Sequence, residues 1–521
     1  MELTLEQALQ KGIEAHKAGK VQEADQYYTA ILKANSKHPD ANHNMGVLAV
    51  GVSKVQEALP FFKTALEANP NIAQYWLSYV DALIKLDRLD DTKTVFQQEK
   101  LDLVIKAFTT AISIKPNYAE AYYYLGMAVM AQGKLSEAIE AYSKAISIKP
   151  DYDEAYYYLG HVLKGAISQK PNKDLQNIIA HLLNKETFIR PREISKTAIS
   201  LLKFEPALQK HLKVADTGLI ESPLEVISDL SKLSLLLKLM SVCPLPDLEL
   251  ERLLKNLRCC IITNISALKE ASPELIEFQT ALALQCFTNE YIYSHTEEEE
   301  KILKSLDSSV KKDLKNNNQP SPQIVLALAS YKALNKYEWC NLLVVTDDIK
   351  EVFTRQVEEP NEEEKIKQDL PILEEITNSI SSEVREQYEE SPYPRWVNLG
   401  LSLKPLSISN VVDQIQLKLH DNSITEVKKP EILIAGCGTG QHSIGTAKVF
   451  KSSNVLAIDL SLSSLAYAKR KTLELGIENI EYMQADILDL GQLNKQFDII
   501  ESAGVLHHMD NPMAGWKVLT D

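Results

Sequence analysis

The sequence predicts a multidomain chain in which an all-α solenoid is followed by a helical middle region and then by an α/β domain with a parallel sheet. Three observations carry this prediction. Residues 1–172 contain a repeat, residues 173–385 show apolar side chains at helical spacing, and residues 386–521 alternate short apolar runs with helical segments. The predicted domain boundaries therefore lie near residues 172 and 385.

The repeat in the first segment is visible at single positions and in whole stretches. Ala24 and Ala58 lie 34 residues apart, each alanine follows the letters Lys-Val-Gln-Glu, and Thr92 keeps the spacing. The stretch Ala-Ile-Ser-Ile-Lys-Pro occurs at 111–116 and again at 145–150. A fixed period of this length is the signature of a repeat architecture built from small helical units.

One unit is complete enough to predict its packing. Gly126 and Ala138 would let two antiparallel helices approach, and Pro150 would end the second helix because it lacks a backbone N–H. The unit resembles the tetratricopeptide repeat, whose stacked helix pairs form a solenoid with a concave binding surface. This resemblance implies a protein or peptide partner, which would contact Glu120, Tyr123, Met127, Glu154, Tyr157 and His161. Alternatively, these tyrosines only pack between repeats.

The middle region, residues 173–385, carries no motif that indicates a function. Leu230, Leu233 and Leu236 have helical spacing. The four glutamates at 297–300 are typical of a helix start, where acidic side chains are favourable. The sequence therefore predicts helices here and leaves their role open.

An aromatic and basic segment precedes the α/β domain. The amphipathic helix that contains Tyr388 should end before Ser391, because a proline biases the residue before it away from helix. Tyr388, Tyr393, Arg395 and Trp396 would either form a lid over a ligand or dock a helix against the sheet. The sequence leaves both interpretations open.

The α/β domain is organised around residues 431–440, Glu-Ile-Leu-Ile-Ala-Gly-Cys-Gly-Thr-Gly. The unbroken apolar run predicts a strand that is buried on both faces, as in a parallel sheet. Gly436, Gly438 and Gly440 would let the backbone turn tightly against a ligand, where a Cβ would collide. The helix predicted over 441–450 would then direct its free N–H groups toward that ligand.

Three further strands and two helices are predicted after this turn. The strands are Asn454–Ile458, Asn479–Met483 and Phe497–Ile500, and the helices are Leu462–Leu475 and Pro512–Leu519. Parallel α/β sheets bind ligands at the carboxyl ends of their strands. We therefore expect the residues that follow each strand to meet in one site.

The order of these pieces resembles the S-adenosylmethionine-dependent methyltransferases of the Rossmann-like class, which implies S-adenosyl-L-methionine as the cofactor. The glycine turn would hold the methionine part, Asp459 the ribose and Asp486 the adenine amino group. The cofactor-binding residues implied in this way are Gly436, Cys437, Gly438, Thr439, Gly440, Asp459, Leu460, Asp486, Ile487 and Ser502. The nicotinamide fingerprint G-x-G-x-x-G fits less well, because its third glycine would fall on Gln441.

Two features depart from this family's usual pattern. Family members commonly carry an acid two residues before the first glycine, and this chain has Ile434 there. The family's sheet normally has seven strands, whereas this sequence provides four before it ends at Asp521. We therefore expect a methyltransferase domain that is truncated at its C-terminus.

Three classes of function remain open. The first is a methyltransferase, in which His507 or His508 would be the catalytic base for an acceptor that loses a proton. Both histidines could instead shape the loop. The second is a tetratricopeptide scaffold whose methyltransferase domain binds the cofactor without turnover. The third is a module that binds another nucleotide.

Composition limits the classes of partner and the cellular compartment that we expect for this protein. The net charge of −15 argues against a nucleic-acid partner, because phosphate contacts need a basic surface. No apolar run approaches the ~20 residues of a membrane helix. The six cysteines show neither metal nor disulfide spacing. A cytoplasmic protein without a metal site or membrane partner is therefore expected.

Overall fold

The computed structural model describes residues 3–89, 101–215, 220, 222–266, 272–390 and 392–521. Thr92, predicted to keep the repeat spacing, and Ser391, predicted to follow the amphipathic helix, lie outside these ranges. The chain divides into two compact units, residues 1–163 and 164–521. The first unit thus ends before the boundary predicted at residue 172.

The first unit is built from antiparallel helix pairs. Its described helices are α1 (Leu5–Lys17), α2 (Val21–Ala34), α3 (Pro39–Gly51), α4 (Val55–Ala68), α5 (Ala73–Leu89), α6 (Leu101–Ile114), α7 (Ala119–Ala131), α8 (Leu135–Ile148) and α9 (Asp153–Leu163). Ala24, Ala58 and Ala138 are fully buried. The predicted repeat therefore places small residues in the interior, as expected.

A glycine and an aromatic ring set the spacing of each well-formed pair. A Cβ built on Gly126 would lie 2.7 Å from Tyr142 Cε1. A Cβ on Gly46 would lie 2.7 Å from Phe62 Cε1. Because a Cβ would collide at each position, the glycine is what allows the second helix to lie so close.

The second unit begins with helices and ends with the sheet. Its described helices before the sheet are α10 (Lys173–Leu183), α11 (Pro191–Leu202), α12 (Pro206–Ala215), α13 (Pro223–Ser231), α14 (Ser234–Val242), α15 (Leu248–Thr263), α16 (Pro273–Thr288), α17 (Glu297–Lys315), α18 (Pro322–Ala329), α19 (Lys350–Phe353), α20 (Glu359–Gln368), α21 (Ser379–Glu390) and α22 (Ile408–Gln414). One turn of π-helix, Thr354–Glu358, joins α19 to α20. The prediction of a helical middle region is confirmed.

The α/β part follows the predicted order of elements. It consists of β1 (Glu431–Ala435), α23 (Gln441–Val449), β2 (Asn454–Asp459), α24 (Leu462–Glu474), β3 (Ile480–Gln484), β4 (Ile499–Glu501) and α25 (Pro512–Thr520). Strand β4 starts two residues later than predicted and ends one residue later. Glu501, which was expected to follow this strand, is therefore its last residue.

The four described strands form one parallel sheet in the order β3-β2-β1-β4. Strand β1 pairs with β2 from Glu431 to Ala435 and with β4 on its other side, where Ile434 is the partner of Glu501. All four strands consequently direct their carboxyl ends toward the same edge, where parallel sheets bind ligands.

The core of the sheet domain includes residues that precede the boundary predicted at 385. Leu370 is buried in the same apolar cluster as Ile432 and Ile434. The backbone of the preceding loop extends the outer edge of β3, since Leu373 N donates to Gln484 O at 2.9 Å and Gln484 N donates to Pro371 O at 2.9 Å. Packing of the sheet domain therefore begins near residue 359, in α20, rather than at 386.

Among the described residues, no helix combines the length and the apolar character that crossing a bilayer requires.

Candidate functional site

The loop between β1 and α23 is a tight turn with three left-handed glycines. Gly436, Gly438 and Gly440 have φ values of 82°, 52° and 87°. A Cβ on Gly436 would lie 2.3 Å from Val505 Cγ2, and one on Gly440 would lie 2.6 Å from Ala468 Cβ. Glycine is required at both positions for backbone conformation and for space.

Asp459, at the end of β2, is tied to this turn. Its Oδ2 accepts a hydrogen bond from Gly438 N at 2.8 Å, and its Oδ1 accepts one from Ser461 N at 3.0 Å. Burial raises the pKa of Asp459, while hydrogen bonds from the backbone of Ser461, Gly438 and Leu460 act in the opposite direction. The aspartate thus connects two strand ends and remains half-buried.

The aromatic segment before the sheet divides into a docked part and a cavity-lining part. Trp396 is buried, its Nε1 donates to Thr439 O at 2.9 Å, and its N donates to Tyr467 Oη at 3.0 Å. Arg395 forms an ion pair with Glu290. Trp396 therefore fits the docking interpretation, and Arg395 is bound to the helical middle region instead. Tyr388 and Tyr393 line the cavity described below.

Glu389, near the end of α21, fixes that helix to the start of α24. Its Oε2 accepts hydrogen bonds from Ser461 Oγ at 3.0 Å and from Ser463 N at 3.1 Å. Its Oε1 lies 2.5 Å from Lys367 Nζ. The pKa of Glu389 is lowered because, although burial opposes ionisation, these donors and the lysine outweigh it. Helix α21 is thereby held along one wall of the cavity.

A cavity of about 440 Å³ lies at the carboxyl ends of the strands. Of the residues predicted to bind a cofactor or to act in catalysis, nine line it: Gly436, Cys437, Gly438, Thr439, Asp459, Leu460, Asp486, Ile487 and His508. The structure brings these predicted residues together from the ends of all four strands. A cavity of this size and position is typical of a small-molecule site.

Three predicted site residues are not part of this lining. Gly440 packs against Ala468 of α24. His507 lies beside His508, with ring centroids 4.0 Å apart. Ser502 has a buried Oγ with no hydrogen-bond partner in the described part of the chain, and its neighbours Ala503 and Gly504 line the cavity instead.

Sequence reasoning missed a histidine–glutamate pair at the β1–β4 end of the cavity. His442, in the first turn of α23, lines the cavity, and its Nε2 lies 2.7 Å from Glu501 Oε2. Thr446 Oγ1 donates to the same carboxylate oxygen at 2.7 Å. Burial opposes ionisation of Glu501, but the hydrogen bonds from His442 and Thr446 outweigh it and lower its pKa. The signal available in the sequence for this pair was Glu501, a charged residue at the end of an apolar strand.

In the first unit, the predicted partner-binding residues differ in exposure. Tyr123 and Met127 are each only 7% exposed. The rings of Tyr152 and Tyr158 lie 5.1 and 5.8 Å from that of Tyr123 and help to bury it. Their burial departs from the expectation that they lie on an open surface. Tyr157 is half-buried and His161 exposed, with ring centroids 4.5 Å apart.

Comparison with known families agrees with this division of the chain. The family model described as a methyltransferase domain matches residues 432–517. The family model described as a TPR repeat, the tetratricopeptide repeat, matches residues 93–133 and 127–165. The chain therefore carries tetratricopeptide repeats and a methyltransferase domain.

Relatives of known sequence match over short stretches. An uncharacterized protein of Synechococcus sp. is 37% identical over 95 residues, which is 18% of this chain and 23% of that protein. A release factor glutamine methyltransferase of Flavobacterium psychrophilum is 37% identical over 79 residues, 15% of this chain and 27% of that one. A ubiquinone biosynthesis O-methyltransferase of Pseudomonas putida is 29% identical over 119 residues, 23% of this chain and 48% of that one. The chain spans less than half the length of these relatives.

Two solved structures align with part of this chain. MamA aligns at 20% identity and a TM-score of 0.25, covering 39% of this chain and 95% of MamA. YrrB, titled a TPR protein with an unusual peptide-binding site, aligns at 18% identity and a TM-score of 0.26, covering 40% of this chain and 90% of YrrB.

Proposed function

We propose that this protein is an S-adenosylmethionine-dependent methyltransferase whose N-terminal repeats recruit a protein or peptide partner. The methyltransferase part of this proposal rests on one observation. The glycine turn, Asp459 and Asp486 line one cavity at the ends of adjacent strands. The match of residues 432–517 to the methyltransferase domain family supports the same conclusion.

The residues of the cavity suit an adenosine-containing ligand. Ser464 is buried, lines the cavity, and its Oγ has no hydrogen-bond partner in the described ranges, so a bound hydroxyl would satisfy it. Ile487 and Leu488 offer apolar contact beside the Asp486 carboxylate. The donors and acceptors are therefore of the kinds that ribose and adenine require.

Each element of the cavity has a task in the proposed reaction. The bound cofactor supplies an activated methyl group for in-line displacement. The glycine turn, Asp459 and Asp486 orient that group, and orientation is the main contribution a protein makes to such a displacement. Tyr388 and Tyr393 cover one side, which limits access of water.

We expect Asp459→Ala to weaken binding of S-adenosylhomocysteine by roughly 10- to 150-fold, because a hydrogen bond to a charged group contributes ~1.5–3 kcal/mol. Titration calorimetry measures this directly. Asp459→Asn is the matched variant: its amide oxygen can still accept from Gly438 N, so it should retain the turn better than alanine does. An unchanged dissociation constant in folded Asp459→Ala protein would remove this residue from the site.

Turnover separates an enzyme from an inactive cofactor-binding scaffold. Incubation of the full chain with S-adenosylmethionine and a bacterial cell extract should release S-adenosylhomocysteine. Binding without any release would favour the scaffold.

Partner recruitment is supported by the repeats themselves and by the accessible pair Tyr157 and His161 in α9. Aromatic side chains that are partly exposed commonly dominate binding interfaces. Tyr123 and Met127 would act indirectly, by supporting the packing beneath this pair.

Replacing Tyr157 and His161 together by alanine should weaken capture of the partner by about 30-fold or more, since interface hot spots contribute ~2 kcal/mol or more each. Pull-down from extract followed by quantitative mass spectrometry compares the variants. Lys144→Ala, an exposed change on α8, is the control and should capture normally. Equal capture by the double variant and the control would place the binding surface elsewhere.

A further inference from the structure

The strand order fixes which end of the cavity would receive each part of the ligand. Asp486 follows β3, Asp459 ends β2, the glycine turn follows β1, and Glu501 ends β4. Because the order across the sheet is β3-β2-β1-β4, an adenosine held by the two aspartates leaves its amino-acid end at β1 and β4. That end is where His442 and Glu501 lie.

The charge of the cavity lining is one-sided. Asp459, Asp486 and Asp510 line it, whereas lysine and arginine are absent from its described lining. Placing an α-carboxylate among these acidic side chains would cost free energy unless a cation faced it. His442 and His508 are the two histidines of the lining.

The pairing with Glu501 distinguishes His442 from His508. His442 Nε2 lies 2.7 Å from Glu501 Oε2, so Nε2 carries the proton of that hydrogen bond. No hydrogen bond of His442 Nδ1 is found within the described residues. A neutral imidazole that donates from Nε2 has only a lone pair at Nδ1, which repels a carboxylate. Only the doubly protonated ring can donate to Glu501 and to a ligand carboxylate together.

We propose that His442, held by Glu501 and protonated at both ring nitrogens, donates its Nδ1–H to the α-carboxylate at the amino-acid end of the cofactor, so that binding takes up a proton. This inference rests on the proposed function and names the residues that recognise this part of the cofactor. The N–H groups of the first turn of α23 face the same end and add to the attraction.

The sequence has no acid at position 434, but the neighbouring strand β4 supplies one, because Glu501 is the register partner of Ile434. A carboxylate therefore stands beside the turn although β1 itself ends in apolar residues. Here it acts through His442 rather than on the ligand, so Glu501 is a positioning residue.

Other ionisable groups share the cavity and bear on the pH dependence. The titratable side chains that face this space besides His442 are Tyr388 from α21, Tyr393 from the loop after it, Cys437 from the glycine turn, Asp459 from β2, Asp486 from the loop after β3, and His508 and Asp510 from the loop after β4. Burial raises the pKa of the Cys437 thiol well above its usual range, so this thiol stays neutral.

Titration calorimetry on the full chain tests the proposal with two probes. S-adenosylhomocysteine carries the α-carboxylate, and 5′-methylthioadenosine lacks the whole amino-acid end. For the wild type, we expect affinity for S-adenosylhomocysteine to fall by about tenfold per pH unit once pH exceeds the imidazole pKa of the free protein, with proton uptake measurable in buffers of different ionisation enthalpy. Affinity for 5′-methylthioadenosine should not follow this trend.

Two variants and a control sharpen the result. At pH 6, His442→Gln should bind S-adenosylhomocysteine about 10- to 150-fold more weakly and lose the pH dependence, because the charged donor is gone. Glu501→Gln should shift the fall in affinity to lower pH, since the neutral amide no longer favours the imidazolium. His420→Gln, an exposed histidine outside the cavity, should behave as wild type.

Binding of 5′-methylthioadenosine shows that each variant keeps an intact adenosine site. If the wild type binds both probes, and neither its affinity for S-adenosylhomocysteine falls nor any proton is taken up at any pH between 6 and 9, His442 does not face the carboxylate and only this inference fails. Equal weakening of both probes by His442→Gln would also overturn it, because the residue would then act on the fold of the site. Failure of the wild type to bind either probe overturns the proposed function as well.

Discussion

Replacing Gly440 by valine should destabilise the sheet domain by about 2–5 kcal/mol. Gly440 has a φ of 87°, which a β-branched residue adopts only with strain of about 1–2 kcal/mol. A Cβ there would also lie 2.6 Å from Ala468 Cβ and 3.0 Å from Ala468 Cα, and overpacking costs typically 1–3 kcal/mol more. Ala468 is fully buried on α24.

Hydrogen exchange measured by mass spectrometry would show this as loss of protection in peptides covering 431–475. Gly445→Ala is the matched control on the same helix. Gly445 has an ordinary helical conformation, and a Cβ there meets no atom within 4 Å, so alanine should stabilise the helix by up to about 1 kcal/mol. Normal protection of 431–475 in Gly440→Val would contradict the tight contact between the glycine turn and α24.

Replacing Arg470 by methionine should destabilise the second unit by up to about 3–5 kcal/mol at neutral pH, because it leaves partly buried carboxylates without their buried cation. The Arg470 side chain is 5% exposed and pairs with Glu359, Glu363 and Glu474 at 3.0, 2.9 and 2.9 Å. This ion cluster joins α20 to α24. Chemical denaturation followed by circular dichroism gives the change in unfolding free energy.

The loss of unfolding free energy caused by Arg470→Met should depend on pH. Burial raises the pKa of both Glu359 and Glu363 even with the arginine nearby. A carboxyl whose pKa is raised on folding binds its proton more tightly in the folded state, so its contribution to stability falls as pH rises from the unfolded toward the folded pKa. Without Arg470 this effect grows, and the variant should lose more stability at pH 8 than at pH 5.

A second change separates the charge effect from lost packing. Adding Glu359→Gln and Glu363→Gln to Arg470→Met removes the unpaired charges, and should recover part of the stability and flatten its pH dependence. A deficit that is the same at pH 5 and pH 8 would mean that the cluster contributes through packing alone.

The sequence by itself determined the elements whose information is local. The 34-residue period predicted the helix pairs, because the contact between Gly126 and Tyr142 joins neighbouring helices of one unit. The apolar run ending in Gly436 predicted β1 and its turn, because burial of a strand and left-handed backbone both restrict residue type at the position concerned.

Tertiary structure decided which distant residues meet. Glu501 stands beside Ile434 and bonds His442 only because β4 pairs with β1, and no local pattern states which strands are neighbours. Tyr123 carries a residue type found on binding surfaces, yet the ring of Tyr158 from the next helix pair helps to bury it. Residue type and spacing set the local conformation, whereas burial and charge pairing depend on contacts between elements far apart in the chain, and those contacts exist only once the chain has folded.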